Sequence, residues 1–311
     1  MIYMDNAATT RLSPEVLDAM MPFLRGEFGN ASTLYSPGRR AHAAIDDARS
    51  KIARVIHAMP DEIYFTSGGS EADNWAVFGA ALGTDGILKG RHLITSKIEH
   101  HAVLNSCRAL ESQGVEVTYL DVDKEGFVSP ESVRAAIRDN TVLVSVMAAN
   151  NEIGTIEPLS GIGRIAHERG VLFHTDAVQG YGKLPFDPES LGVDMMSASG
   201  HKIHGPKGTG ILYIRKGLHI PPLICGGGQE RGQRSGTENV PGIAGVGAAA
   251  AIAAEKMEEN TAHVRGLRDM LLKGITSAIG DVRVNSPTDG CGLPYILNVS
   301  FSGGEEVPQG S

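Results

Sequence analysis

Short β-rich runs that alternate with helix-like segments constrain this chain more than any other feature. Seven such runs occur between residues 62 and 214, and most of the segments between them have a helical pattern. Short strands separated by helices favour a mostly parallel sheet that is covered on both faces. We therefore predict an α/β fold built on a seven-stranded sheet. The runs are 62–66, 92–95, 115–120, 141–147, 171–175, 193–197 and 209–214.

Helix signals frame this sheet and suggest a division into two domains. Ser13-Pro14-Glu15 combines a capping hydroxyl, an early proline and an acid, so a helix begins there. The alanine-rich segment 241–274 is read as one or two helices that leave the sheet, and two further strand-like runs follow it. We predict a large domain over residues 14–257. Residues 1–13 and 258–311 would form part of a smaller α+β domain. The other helices are predicted at 38–57, 71–82, 101–113, 130–138 and 159–169, and the later strands at 281–284 and 296–301.

Charge and cysteine content exclude several classes of protein. The formal charge of −8 disfavours a broad nucleic-acid-binding surface. The three cysteines, Cys107, Cys225 and Cys291, form no CxxC motif, so a disulfide framework and a structural zinc site are unsupported. No apolar run approaches the roughly 18 residues of a membrane span. We expect a cytoplasmic protein that binds neither nucleic acid nor a membrane.

Residues that follow the predicted strands carry the chemistry, because ligands bind at the carboxyl ends of strands in open parallel sheets. After the first strand, Gly68-Gly69-Ser70 opens a helix, where backbone N–H groups suit a phosphate. An ordinary glycine turn with a serine cap explains the same residues. His100 follows the second strand, and a polar loop histidine is its simpler interpretation. Lys202 lies among glycines after the sixth strand and is either a Schiff-base nucleophile or a solvated lysine.

Taken together, these residues have one coherent interpretation. A phosphate cradle, a flat histidine, the carboxylate of Asp176 and the amine of Lys202 are what pyridoxal 5′-phosphate requires. The lysine would hold the aldehyde, and the acid would keep the pyridine nitrogen protonated. A metal site is less well supported, because the histidines lack paired helical spacing and carboxylate partners. We predict no metal.

The motifs that carry these residues resemble those of the class V aminotransferases, and within that group the cysteine desulfurases. This resemblance runs from Tyr3 to about Ser302 and implies a fold-type I pyridoxal-phosphate enzyme. Its two most specific motifs are SGHKIHGPKGTG and GGGQERGQRSGTEN. The matching segments are YMDNAATT (3–10), FGNAS (28–32), FTSGGSEADN (65–74), TSKIEHHAVL (95–104), NNEIG (150–154), HTDAVQ (174–179), SGHKIHGPKGTG (199–210) and GGGQERGQRSGTEN (226–239).

The resemblance implies a role for each matched position. Lys202 and His100 would be catalytic, the first as the attachment point of the cofactor and the second as the residue stacked on its ring. Thr237 would reach the phosphate of a neighbouring subunit, which implies a homodimer. The other implied contacts are Asp176 with the ring nitrogen, Gln179 with the phenolic oxygen, Gly69, Ser70, Ser199 and His201 with the phosphate, Asn151 with cofactor and substrate, and Asn30 on the substrate side.

The sequence departs from the family pattern after Phe301-Ser302. Family members carry a nucleophilic cysteine on a Ser/Gly-rich loop beyond this point, and later an arginine that binds the substrate carboxylate. Here residues 303–311 read GGEEVPQGS, so we expect both elements, and roughly the last fifth of a typical member, to be missing. None of the three cysteines present matches the position of the sulfur-accepting loop.

Two functions remain open at this point. The resemblance implies a desulfurase that converts L-cysteine to L-alanine and passes sulfur, through an enzyme persulfide, to an acceptor or scaffold protein of iron–sulfur cluster assembly or tRNA thiolation. The alternative is a homologue that binds pyridoxal phosphate without desulfurase activity. It would perform β-elimination, racemisation or half-transamination, or serve as a dimerising remnant.

Overall fold

The computed structural model describes residues 2–302 and contains a seven-stranded sheet, as the alternation of strands and helices predicted. The strand order is β1-β7-β6-β5-β4-β2-β3. Strand β7 runs antiparallel to both of its neighbours, and the other pairs are parallel. The strands are β1 Ile63–Thr66, β2 His92–Ser96, β3 Glu116–Leu120, β4 Thr141–Ser145, β5 Leu172–Asp176, β6 Met195–Ser199 and β7 Gly210–Ile214.

Helices cover both faces of this sheet and lie close to the segments predicted for them. On one face, α1 Pro14–Arg25, α2 Ser36–Val55, α6 Leu159–Glu168 and α8 Val240–Glu255 contribute to the larger apolar core. On the other face, α3 Gly69–Leu82 and α4 His101–Glu111 enclose a second core around the fully buried Trp75. Two short helices, α5 Pro130–Ala136 and α7 Pro188–Leu191, complete the set within the large sheet region. Of these, α7 is too short to leave a periodic signal in the sequence.

The segment predicted as one or two helices forms two, α8 and α9 Met257–Ala278, which meet at 71°. In the part of the chain that the structure describes, no single helix is long and apolar enough to span a membrane, and only this bent pair passes such a test of length and composition. Helix α8 packs on α1 and α2.

A separate two-stranded sheet follows α9. Strands β8 Val282–Val284 and β9 Val299–Phe301 pair antiparallel. Strand β9 begins later than predicted because the backbone N–H of Ile296 bonds to Leu293 in a turn. The division between residues 257 and 258 stays a prediction, and residues 303–311, where the sequence predicted a departure from the family pattern, lie outside the described part.

One glycine sets the spacing at the edge of the sheet where the predicted site lies. A Cβ on Gly210 would fall 2.4 Å from the backbone of Gly68, so no larger residue fits at the start of β7. This close approach holds the loop after β1 against the strand beside β6. The first turn of α3 and the end of β6 are therefore neighbours.

Candidate active site

A cleft of about 650 Å³ lies at the carboxyl ends of the strands. Its walls come from the segments that follow β1, β2, β4, β5 and β6, together with the amino-terminal segment around Ala7. The edge of the sheet thus gathers residues that are far apart in sequence, as the strand-end argument predicted. Nine predicted site residues line this one cleft: Gly69, Ser70, His100, Asn151, Asp176, Gln179, Ser199, His201 and Lys202.

Lys202 is the amine of the cleft and ends a short 3₁₀ turn that follows β6. Its Nζ donates to the backbone carbonyls of Ala7 and, at 2.8 Å, of Ala8. Burial lowers the pKa of this amine, and the carboxylates of Asp176 and Asp5 partly oppose that shift. An amine that loses its proton more easily is a better nucleophile towards an aldehyde.

The position of Lys202 depends on how tightly the turn after β6 is built. A Cβ on Gly200 would lie 2.6 Å from the hydroxyl of Thr209, so the turn requires glycine. Its far side is tied to the amino-terminal segment, since the backbone N–H and the hydroxyl of Thr10 both bond to the carbonyl of His201. The amine of Lys202 and the carbonyl oxygens that accept its hydrogen bonds are therefore fixed relative to each other.

Two buried carboxylates share the cleft with the amine. Asp176 ends β5 with only 4% of its surface exposed, and its Oδ1 accepts one backbone hydrogen bond, from Val178 at 2.9 Å. Burial raises the pKa of Asp176 against the influence of that bond, His100 and Lys202. Asp73 lies beside it, and burial and the charge of Asp176 raise its pKa well above the usual range.

This acid pair suits a positively charged ligand. Within residues 2–302, Oδ1 of Asp73 is buried and has no hydrogen-bond partner. A buried polar atom without a partner is costly, and two adjacent buried carboxylates are more so. A protonated ring nitrogen would supply the missing cation, so the residues present fit pyridoxal phosphate at this end of the cleft.

His100 lies over the same region and has a defined tautomer. Its Nδ1 accepts a hydrogen bond of 3.1 Å from the backbone N–H of Ala102 and caps α4. In the neutral ring the proton is then on Nε2. The nearest ligand atoms of Asp73, His100 and Asp176 lie within 4.8 Å of one another, a spacing that also admits a metal ion. In that neutral tautomer the ring offers no free lone pair to a metal, and its Nε2–H would instead donate to an organic ligand.

The other end of the cleft is suited to a phosphate. Helix α3 begins at Gly69 without a side-chain cap, so the N–H groups of its first turn are available to an anion. A Cβ on Gly69 would come within 2.7 Å of Val178, which requires glycine at this helix start. Ser70, Ser199 and His201 line the cleft beside it. Burial, followed by the charge of Lys202, lowers the pKa of His201 to about 4, so this ring is neutral near pH 7.

Two predicted site residues lie outside the cleft of the single chain. Asn30 is exposed and its side chain accepts a hydrogen bond from the backbone of Ser32. Thr237 is exposed and lines a separate cavity of about 220 Å³. The loop that carries Thr237 is anchored to the first turn of α3, because Arg234 makes two hydrogen bonds, of 2.7 and 3.0 Å, with Glu71. The roles implied for Asn30 and Thr237 stay predictions.

The sequence reasoning missed Asp73 and the two carbonyls that bind Lys202. Asp73 lies three residues after Ser70 in α3, and residues at that spacing share one helix face. This spacing could have identified it. The carbonyls of Ala7 and Ala8 are backbone groups in the YMDNAATT motif, and no side chain signals their use.

Comparisons with known proteins identify the family of this chain. The class-V aminotransferase family model matches residues 2–307. The chain is 54% identical over 274 residues to the cysteine desulfurase IscS of Methanosarcina thermophila, covering 88% of this chain and 67% of that protein. It is 50% identical over 303 residues to the cysteine desulfurase IscS of Clostridium botulinum, covering 97% of this chain and 76% of that protein.

Solved structures give the same result. A NifS-like protein superposes with a TM-score of 0.92 at 45% identity, over 96% of this chain and 81% of that one. A structure of SspA in complex with cysteine superposes with a TM-score of 0.88 at 41% identity, over 97% of this chain and 84% of that one. The chain therefore belongs to the class-V aminotransferase family, in which it is similar to the cysteine desulfurases.

Proposed function

We propose that this chain binds pyridoxal 5′-phosphate in the cleft and removes sulfur from L-cysteine to leave L-alanine. The observation that carries this proposal is the arrangement within the cleft. An amine whose pKa is lowered, Lys202, shares the cleft with the buried carboxylates of Asp176 and Asp73 and with an uncapped helix start. Cysteine desulfurases at about 50% identity support the same assignment.

Each end of the cleft would hold a different part of the cofactor. When bound, pyridoxal phosphate supplies an electron sink for a carbanion at the substrate. Asp176 would pair with the ring nitrogen, and His100 would lie on the ring face. The remaining contacts would be Lys202 with the aldehyde carbon, Gln179 with the phenolic oxygen, Asn151 with cofactor and substrate, and Gly69, Ser70, Ser199 and His201 with the phosphate.

The residues of the chain would move the protons of this reaction. Nζ of Lys202 rests between two carbonyls at the cleft and would take the proton from the substrate α-carbon. His100 also lines the cleft, and in its neutral ring Nε2–H would donate a proton, since Nδ1 accepts from the backbone N–H of Ala102. The thiolate of an acceptor would attack the substrate sulfur, so that an S–S bond forms as the C–S bond breaks. Protons added at the β-carbon and returned to the α-carbon then complete L-alanine.

The acceptor thiol is the part of the reaction that the described residues do not supply. Burial raises the pKa of Cys107 to about 12, which makes it a poor nucleophile. Cys291 is exposed, and the neighbouring Asp289 raises its pKa. Within residues 2–302, no cysteine lines the cleft. We propose that sulfur passes first to a thiol outside these residues and then to a sulfur-acceptor or scaffold protein.

The lack of a cysteine along the cleft, within residues 2–302, also favours a second candidate function. This function is pyridoxal-phosphate chemistry without sulfur transfer. Elimination at the β-carbon of L-cysteine would release sulfide and ammonia and leave pyruvate. Racemisation would give D-amino acids. The products separate the two functions, because desulfuration gives alanine and elimination gives pyruvate.

The test is an assay of the cofactor-loaded protein with L-cysteine and excess dithiothreitol, in which alanine, pyruvate, D-cysteine and sulfide are all quantified. Sulfur transfer predicts alanine and sulfide in equal amounts, and Lys202→Ala abolishes both. Lys207→Ala is the matched control, because Lys207 is exposed on the same loop. Pyruvate in place of alanine would support the second function. The absence of alanine, pyruvate and D-cysteine, with protein that has bound the cofactor, would contradict both.

A homodimer is part of this proposal. Thr237 and its loop lie away from the cleft of their own chain, and large apolar side chains are exposed in the 28–35 segment, including Phe28 at 88% and Leu34 at 89%. Sedimentation velocity tests the dimer, and a monomer at micromolar concentration would contradict it. Location in the cytoplasm stays a prediction.

A further inference from the structure

A second buried lysine lies directly behind the cleft. Lys183 is 8% exposed, and its Nζ donates a hydrogen bond of 3.1 Å to Oε1 of Gln179, one turn earlier. The amine also lies 5.7 Å from the ring centre of Tyr295. Within residues 2–302 it has this one hydrogen-bond partner and no ion-pair partner. A buried amine without a carboxylate is costly, so its presence calls for an explanation.

Lys183 contacts a residue that reaches the cleft. Gln179 is 4% exposed and lies between the amine of Lys183 and the backbone carbonyl of Ala7, to which its Nε2 donates at 2.9 Å. A lysine amine next to an oxygen acts as a donor, and a carbonyl acts only as an acceptor. The two neighbours therefore leave one orientation for the amide. Its oxygen faces Lys183, and its nitrogen faces Ala7 and the cleft.

We propose that Lys183 is a positioning residue that fixes the amide of Gln179 so that its N–H groups, and not its oxygen, face the cleft. This inference rests on the proposed function, in which Gln179 donates to the phenolic oxygen of the cofactor. One N–H of Gln179 bonds to Ala7 and the second remains for that oxygen. A flipped amide would direct its lone pairs at two acceptors, the carbonyl and the phenolic oxygen.

The same contacts connect Lys183 to the attachment lysine. The carbonyl of Ala7 accepts from both Gln179 and Lys202, so a rotation of the amide would disturb the acceptor that holds the Lys202 amine. Burial, followed by the positive charge of Lys202, lowers the pKa of Lys183 to about 7. The other titratable groups that line the cavity in front of Lys183 are Glu15, His204, Lys256 and Tyr295.

The test replaces the amine with a side chain of similar length that cannot donate. Lys183→Met frees the amide of Gln179, and Lys256→Met is the matched control, because Lys256 lines the same cavity but is exposed. The readouts are the dissociation constant for pyridoxal phosphate and the pH midpoint of the visible absorption band of the bound cofactor. Thermal melting of each variant checks its folding. Lys183→Leu, which also cannot donate, is the second variant if the methionine variant does not fold, and Lys183→Gln, which keeps an N–H donor, is the conservative replacement.

Lys183→Met should weaken cofactor binding roughly tenfold and raise the midpoint by about one unit, the effect of losing one hydrogen bond to a charged group. The midpoint rises because the phenolic oxygen, without its donor, holds the nearby proton more tightly. In a Gln179→Ala background the same change should have little further effect. The dissociation constant and the pH midpoint of Lys183→Gln should lie between those of wild type and of Lys183→Met.

Two results would overturn the inference. One is a folded Lys183→Met or Lys183→Leu variant with the wild-type midpoint and affinity. The other is an effect of equal size with and without Gln179, which would mean that the amine acts without the amide. Wild-type protein with no Lys202-dependent absorption band would instead contradict the proposed function, so the two failures are distinguishable.

Discussion

Asp176→Asn should lower the affinity for pyridoxal phosphate without lowering the stability of the cofactor-free protein. Asparagine keeps the oxygen that accepts from the backbone of Val178 at 2.9 Å, so local geometry is retained. The substitution removes a buried carboxyl group whose pKa is raised by burial. The charge of this group also raises the pKa of Asp73. The cofactor-free variant should therefore be at least as stable as wild type, while the bound state loses its ion pair with the ring nitrogen.

The size of the loss in affinity follows from burial. Asp176 is 4% exposed, and removing one partner of a buried ion pair costs about 3–5 kcal/mol. That cost corresponds to a weakening of binding by about two to four powers of ten. Equilibrium dialysis against pyridoxal phosphate measures it, with Asp121→Asn as an exposed control.

The pH dependence of stability gives an independent check on the same residue. A carboxyl whose folded-state pKa is raised contributes stability that is present below the unfolded pKa and is lost as pH rises towards the folded pKa. The pKa of this aspartate in the unfolded chain is 3.8, so the wild-type protein should lose stability as pH rises above about 4. The Asp176→Asn variant should lose less stability over the same range. Binding by Asp176→Asn within about threefold of wild type would refute the ion pair. A variant that melts well below wild type at pH 8 would refute the burial argument.

Three further changes test the packing around the site. Glu99→Gln should stabilise the protein increasingly from about pH 4.5 to about 8, because burial raises the pKa of Glu99 to about 8; a melting-temperature difference that does not change with pH would contradict this. Arg49→Leu should lower the free energy of unfolding by about 3–5 kcal/mol in urea titrations, because it leaves the buried carboxylate of Glu230 unpaired. Gly247→Ala should destabilise the protein by about 1–3 kcal/mol, since its Cβ would lie 2.6 Å from the backbone of α2. Gly274→Ala, in open space on α9, should stabilise it by about 0.5–1 kcal/mol. Equal effects of the two substitutions would contradict the close packing of Gly247.

Much of the site was predictable because a parallel sheet brings the ends of its strands to one edge. His100 and Lys202 follow two different strands and Asp176 ends a third, and the topology alone places them in one cleft. The strands themselves were identifiable from short β-rich runs between helices. The antiparallel direction of β7 was not, because a run of apolar residues does not encode its direction.

The residues that were missed act through features without a sequence signal of their own. Asp73 lies inside a helix and becomes part of the site only when α3 packs beside β5. In the sequence, Lys183 looks like an ordinary charged residue. Only the structure shows that its amine is buried against Gln179. The backbone carbonyls of Ala7 and Ala8 belong to no side chain. Pattern reasoning identifies side chains at strand ends, whereas tertiary contacts determine these partners.

The central claim is that Lys202 is the attachment point of pyridoxal phosphate, and chemical trapping tests it most directly. The protein is loaded with the cofactor, reduced with sodium borohydride, digested and analysed by mass spectrometry. The account predicts one phosphopyridoxyl group, on the peptide that contains Lys202, and none after Lys202→Ala. Stoichiometric label on another lysine such as Lys183 or Lys207, or no label on protein that melts as a folded chain, would contradict it.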